Sequence, residues 1–257
     1  MNQLNNKLND IRENGYSLSP FQVMGEAFQY YGKTFFLVLT TLLLAIIGLI
    51  FLGSIGLSQI IEIDPNSTQQ EIQEKVLELT QLISEPPYFY YYLASFTFLS
   101  ALSGILIAGY YKLNAEASLN QTPSILSAFK YFFSVKGLYV FISQLLISIV
   151  FLCITIPLKM ANLEMVSMAI NWLANTLTIF TIPLIIFGNQ KPLTAIKNSI
   201  MVVNKQPIPI VLTVILNYFF LVSGLLFFVI GVLFVLPYLF SVYFTLYKQV
   251  IGHNLEE

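Results

Sequence analysis

Charge is what this chain has least of. Of its 257 residues only 10% are Asp, Glu, Lys or Arg, against a hydrophobic share of 56%, whereas a soluble domain carries about 25% charged residues. A chain so poor in solvating groups needs lipid as its solvent. The net charge of -1 argues against a general electrostatic grip on phosphates, so no nucleic acid is expected as a partner. Cysteine occurs once, as Cys153, so neither an intramolecular disulfide nor a cysteine-built zinc site can form. Within its apolar run Cys153 is expected to pack as a small hydrophobe. Histidine also occurs once, as His253, which removes the multi-histidine centres of membrane oxygenases and desaturases and the multi-ligand zinc sites. No HExxH, GxSxG or Walker-type motif is present. The expectation is a protein that is not an enzyme, with no catalytic residue, no metal and no cofactor.

What the chain does have is length of apolar sequence. The runs 35–60, 88–110, 137–158 and 167–187 carry no charge, and each meets the requirement of about 20 residues to cross about 30 Å of hydrocarbon. A fifth run, 209–247, would measure about 58 Å as one helix and must fold back. The predicted turn lies within 223–231, near Gly224 and Gly231. The fold class is therefore all-α, a polytopic membrane bundle of six transmembrane helices in a single domain, 1–257. The first 30 residues lack the short apolar core and cleavage site of a secretory signal, so the first span is expected to stay in the mature protein.

Basic residues set the orientation. Lys7, Arg12 and Lys33 precede the first span, Lys112, Lys130 and Lys136 follow the second, Lys191, Lys197 and Lys205 follow the fourth, and Lys248 follows the sixth. Only Lys75 and Lys159 fall on the other side, where the 61–87 loop carries Glu62, Asp64, Glu71, Glu74, Glu78 and Glu85. Both termini, the amphipathic segment 1–34 and the tail 248–257, are thus expected in the cytoplasm. Tyr88, Tyr90, Tyr91, Tyr92 and Trp172 read as outer interfacial anchors, and Tyr110, Tyr111 and Tyr247 as inner ones. In the 61–87 loop, Thr68-x-x-Glu71 is a capping box that opens a short helix with Ile72, Val76, Leu79 and Ile83 on one face. Asn66-Ser67-Thr68 has the form of a glycosylation acceptor.

One internal repeat stands out. Pro20 and Lys33, Pro123 and Lys136, and Pro192 and Lys205 each bracket a segment directly before an odd-numbered span. Ser19 and Thr122 supply an N-cap before the first two prolines. Phe21, Met24, Phe28 and Tyr31 share their offsets from proline with Leu193, Ile196, Ile200 and Val203, while the middle copy uses Ile125, Leu126, Phe129, Phe132 and Phe133. The pattern predicts three units, each a cytoplasmic interfacial amphipathic helix followed by a transmembrane hairpin. These helices are either structural elbows or surfaces for lipid sensing or partner docking.

The predicted spans contain no ionisable group, which argues against a proton- or charge-driven pump. Their polar residues include Gln144, Asn171, Asn175, Thr178, Thr181 and Asn217. Asn175, Thr178 and Thr181 share a helical stripe, which reads either as interhelical glue or, with Asn217, as a polar cavity. Ser100, Gly104 and Ala108 form a small-xxx-small row suited to close helix approach. Pro157, Pro183 and Pro237 suggest kinks or hinges.

The segments FQVMGEAFQYYGKTFFLVLTTLL, PLTAIKNSIMVVNKQPIPIVLTVILNYFF and VLPYLFSVYFTLYKQVIG resemble a group of bacterial multi-pass membrane proteins. That group resembles in turn the membrane domain fused to some glycerophosphoryl diester phosphodiesterases. Pro237 and Tyr247-Lys248 carry the likeness of the last helix. No hydrolase domain accompanies them, so the resemblance implies a stand-alone membrane module of the bacterial inner membrane, without the phosphodiesterase activity. Two functions follow as expectations. The first is a non-enzymatic protein that organises membrane components or assists an envelope process, with membrane lipids and another membrane protein as partners. The alternative is a carrier or permease for a lipid or other uncharged amphiphile.

Overall fold

The computed structural model describes residues 2–58, 68–226 and 228–253. Glu62, Asp64, Asn66 and Ser67 of the acceptor sequence, and the last four residues of the tail lie outside them. The described helices are α1 (Asn2–Asn14), α2 (Pro20–Ser58), α3 (Gln69–Ser84), α4 (Tyr88–Ser118), α5 (Ile125–Phe129), α6 (Val135–Met160), α7 (Glu164–Leu177), α8 (Thr181–Ile186), α9 (Pro192–Lys205), α10 (Pro207–Leu225) and α11 (Phe228–Val250). No strand occurs among the described residues. Six stretches are long and apolar enough to cross a membrane: Pro20–Gly56, Tyr88–Ser118, Val135–Met160, Glu164–Ile186, Pro207–Leu225 and Gly231–Val250. The chain is an integral, multi-pass membrane protein of all-α fold.

It divides into two compact units, Thr40–Leu99 and the remainder, Met1–Leu39 with Ser100–Glu257. In the smaller unit the capping box forms as the sequence predicts. Glu71 N–H donates to Thr68 Oγ1 at 3.4 Å, and Thr68 N–H donates to Glu71 Oε2 at 2.7 Å. These bonds satisfy orphan donors of the first turn of α3. No residue of α3 is buried.

The larger unit holds the core. The run 209–247 breaks between α10 and α11, inside the predicted window. There the helices approach so closely that a Cβ on Gly224 would sit 3.0 Å from the Gly231 carbonyl oxygen. Side chains larger than hydrogen would hold the two backbones apart. The α6–α7 turn closes on Asn162 at φ 58°, a left-handed position that asparagine tolerates better than most side chains.

The three repeat segments take three different forms. The first does not end at Lys33, because α2 runs unbroken from Pro20 to Ser58. The third is α9, which begins at Pro192 and ends at Lys205. The middle one starts at Ile125 rather than Pro123, capped by Ser124 rather than Thr122, and lasts five residues. Within the chain α2 buries Val23, Ala27 and Tyr30, and α9 buries Ala195, Ser199, Val202 and Val203. The first three of each set share one spacing from their prolines, while Phe21, Phe28 and Leu193 of the apolar faces expected at the membrane interface are exposed.

Two of the repeat lysines have a structural task. Lys33 Nζ donates to Ala117 O at 3.2 Å and Asn120 Oδ1 at 2.9 Å, and Lys136 Nζ donates to Ile186 O at 2.7 Å. Each cation thereby meets the carbonyl-bearing C-terminal end of another helix, α4 or α8, where the dipole favours positive charge. The same end of the unit gathers α1 onto α9, with Leu8 and Ile11 buried in the core and Tyr16 Oη donating to Val202 O at 3.1 Å.

Two further expectations are corrected. Tyr110, Tyr111 and Tyr247 are core residues rather than interfacial anchors, each 4% exposed or less. Helix α4 continues past the apolar run to Ser118, carrying both α4 tyrosines into the packed interior. Cys153 is exposed on α6 rather than packed.

Candidate functional site

The site grows out of a break in the fourth span. The chain leaves helical geometry between Leu177, the last residue of α7, and Thr181, the first of α8. Pro183 lacks the N–H that would bond back across this stretch, so a continuous helix is disfavoured there. The freed groups find Ser199 of α9, whose Oγ accepts from Phe180 N–H at 3.0 Å and donates to Leu177 O at 2.8 Å. Ser199 is fully buried, so one hydroxyl satisfies a donor and an acceptor that no water could reach.

Beside the break lies an open-sided cavity of about 210 Å³. Its wall combines Ile107 and Tyr111 of α4, Gln144 of α6, Asn175 and Thr178 at the break, Val214 and Tyr218 of α10, and Phe240 and Tyr243 of α11. The lining is apolar with neutral hydrogen-bonding groups, and no ionisable acid or base other than tyrosine belongs to it.

Of the four residues singled out from sequence, Asn175 and Thr178 line the cavity and Thr181 and Asn217 do not. Asn175 is exposed and donates to Asn171 Oδ1 at 2.9 Å, while Thr178 Oγ1 donates to Ala174 O at 2.8 Å. The break takes Thr181 out of the stripe it was expected to share with them. Thr181 Oγ1 and both amide atoms of Asn217 are buried without a hydrogen-bond partner. The Tyr243 hydroxyl comes near enough to Asn217 to feel its amide, but not in a geometry that satisfies it. Tyr111, Tyr218 and Tyr243 were not expected here. Tyr111 stands at the end of an apolar run, which gives the same signal as an interfacial belt, whereas Tyr218 and Tyr243 lie inside the 209–247 run.

A scan of protein-family models and searches of curated proteins and of solved structures found no match.

Charged groups gather elsewhere in the unit. Glu26 of α2 accepts from Lys248 Nζ at 2.7 Å and from Gln249 Nε2 at 2.7 Å, and also from the Tyr30 hydroxyl. The Lys248 ammonium lies 5.0 Å from the Tyr30 ring centroid, which ties the start of α2 to the end of α11. Glu116 of α4 pairs with Lys112 at 3.1 Å and accepts from Ser127 Oγ at 2.9 Å. Among the described residues no three His, Cys, Asp or Glu side chains come together as a metal site.

His253 packs against Phe187 and Phe244, with Nε2 3.0 Å from Ser118 Oγ. Burial first, and then the charge on Lys248, lower its pKa from 6.5 to about 4, with Glu26 acting in the opposite sense. Between those values the unfolded chain binds the proton and the folded chain does not, so this contribution is complete above pH 6.5 and is lost as pH falls towards 4. His253→Phe should remove that part of the acid-induced fall in the unfolding midpoint, which thermal scans from pH 7 to pH 4 would measure. An unchanged fall would place the sensitivity in other groups.

Proposed function

We propose that this protein is a non-enzymatic carrier that binds a lipid or other uncharged amphiphile in the cavity beside the broken fourth span. The observation that carries this reading is the lining, which offers apolar walls and neutral hydrogen-bonding groups within one open-sided space. Its volume of about 210 Å³ is below the roughly 300–1,000 Å³ typical of sites that enclose a whole small molecule. It suits a headgroup or a length of chain, with the rest of the ligand lying through the open side in lipid. A charged headgroup would find no counter-ion in the lining, so the desolvation cost favours a neutral one. On this reading both termini lie in the cytoplasm of a bacterial cell, with the spans in its inner membrane. The lysines of the predicted inner loops support that orientation.

Asn175→Leu tests the reading, because Asn175 lines the cavity: the variant should lose flux of uncharged amphiphiles in liposomes with little change in stability. Asn217 lies outside that lining and is a buried amide with no hydrogen-bond partner, so Asn217→Leu should raise stability by about 1–2 kcal/mol. Wild-type flux in Asn175→Leu would remove the cavity from the function.

A second reading, in which the protein organises membrane components, draws on the windows of the first and third spans. Each is only 11% buried within the chain, leaving apolar surface available to another membrane protein. A stoichiometric protein partner in native mass spectra, without bound lipid, would favour this reading.

A further inference from the structure

The connection from α5 into α6 presents apolar side chains that nothing in this chain covers. Leu126 is 77% exposed, Phe133 is 102% exposed and Val135 is 65% exposed. Val135 opens α6, and Leu138, 55% exposed, continues its outward face. That helix is the third span, whose window is 11% buried. The bare apolar surface is therefore continuous with the side of a helix that faces hydrocarbon. A water-filled compartment would penalise Phe133 at this position, whereas the boundary between headgroups and acyl chains accommodates it.

Charge specifies the neighbour further. From 110 to 140 the chain carries Lys112, Lys130 and Lys136 against one carboxylate, Glu116. Glu116 is engaged by Lys112 and Ser127, and Lys136 holds the Ile186 carbonyl. Lys130 sits exposed between Leu126 and Phe133, and both Lys130 and Lys112 lie close enough to Lys136 to repel it. A local excess of cations beside a fully exposed phenyl ring matches the two-part chemistry of an anionic lipid, with its charge at the surface and its hydrocarbon below.

We propose that residues 125–136 form a docking surface for the anionic lipid headgroups of the bilayer, with Lys130 on the headgroup and Leu126 and Phe133 among the upper acyl chains. This surface is separate from the neutral cavity and does not depend on the carrier reading. Continuity with the lipid-facing side of α6 is what favours a lipid over a protein partner.

The test is native mass spectrometry of the full chain equilibrated with equimolar phosphatidylglycerol and phosphatidylcholine. Wild type should retain phosphatidylglycerol in preference. Lys130→Gln should lower the ratio of bound phosphatidylglycerol to phosphatidylcholine about fivefold, the factor that one lysine near an anionic surface is worth. Lys130→Arg should preserve the ratio, and Phe133→Ser should lower retention of both lipids together. Lys205→Gln, at an exposed lysine of α9, should leave the ratio unchanged. Equal retention of the two lipids by wild type, an unchanged ratio in Lys130→Gln, or an equal loss in Lys205→Gln would each overturn the proposal.

Discussion

Gly109→Ala should prevent the bundle from packing. A Cβ at this position of α4 would lie 1.8 Å from the carbonyl oxygen of Ala128 and 2.6 Å from its carbon. Both atoms are backbone, so no rotamer change relieves the contact and α5 must move away from α4. That movement would uncover Tyr110, Leu113 and Ala128, which form one buried cluster with Val38. Overpacking that side chains can absorb costs about 1–3 kcal/mol, and a clash between two backbones should exceed about 3 kcal/mol. The expected result is a large fall in the thermal-unfolding midpoint in detergent, with loss of monodisperse protein. Gly25→Ala is the control, since an added Cβ there meets nothing within 4 Å, and helix propensity should stabilise it by up to about 1 kcal/mol. A Gly109→Ala protein with the wild-type midpoint would mean that α4 and α5 do not pack this closely.

Ser199→Ala should be the next most damaging change. It keeps approximate size while removing the hydroxyl that bonds Phe180 N–H and Leu177 O. Each orphaned buried group costs about 1–3 kcal/mol, so a loss of about 2–5 kcal/mol is expected for the pair. Ser199→Thr keeps the hydroxyl and should retain most of the stability. Because Asn175, Thr178 and Ile179 line the cavity around this break, Ser199→Ala should also reduce amphiphile flux more than its stability loss alone explains. Flux measured well below the variant's unfolding midpoint separates the two effects. Wild-type flux there would uncouple the α9 clamp from the cavity.

The spans, the α10–α11 turn and the α3 capping box were legible in the sequence because each depends on local chemistry: unbroken apolar length, a pair of glycines, a threonine three residues before a glutamate. The buried faces were harder to read for a reason particular to membranes. In a soluble protein the apolar face of a helix is the packed face, but in lipid a side chain such as Phe28 is equally at home facing outward. The packed faces of α2 and α9 are marked instead by smaller residues, Ala27, Ala195 and Ser199, which allow helices to approach. The tyrosines at 110, 111 and 247 misled for a related reason, since a tyrosine ending an apolar run looks the same whether it meets headgroups or turns into a core. Of the cavity, Asn175 and Thr178 could be seen as polar residues in an apolar run, and Pro183 hinted at a break. The clamp itself joins Ser199 to Leu177 and Phe180 across separate helices, a pairing that no local periodicity encodes.

The central claim is that the cavity receives an uncharged amphiphile, and photolabelling tests it most directly. A neutral long-chain alcohol carrying a diazirine would be incorporated with the wild-type chain in liposomes, irradiated, and its adducts mapped by peptide mass spectrometry. Adducts on the peptides bearing Ile107, Ile179, Ile182 and Val214, which line the cavity, and their suppression by excess unlabelled alcohol, are the predicted result. Labelling confined to the outward faces of α2 and α6 and insensitive to competitor would contradict the account.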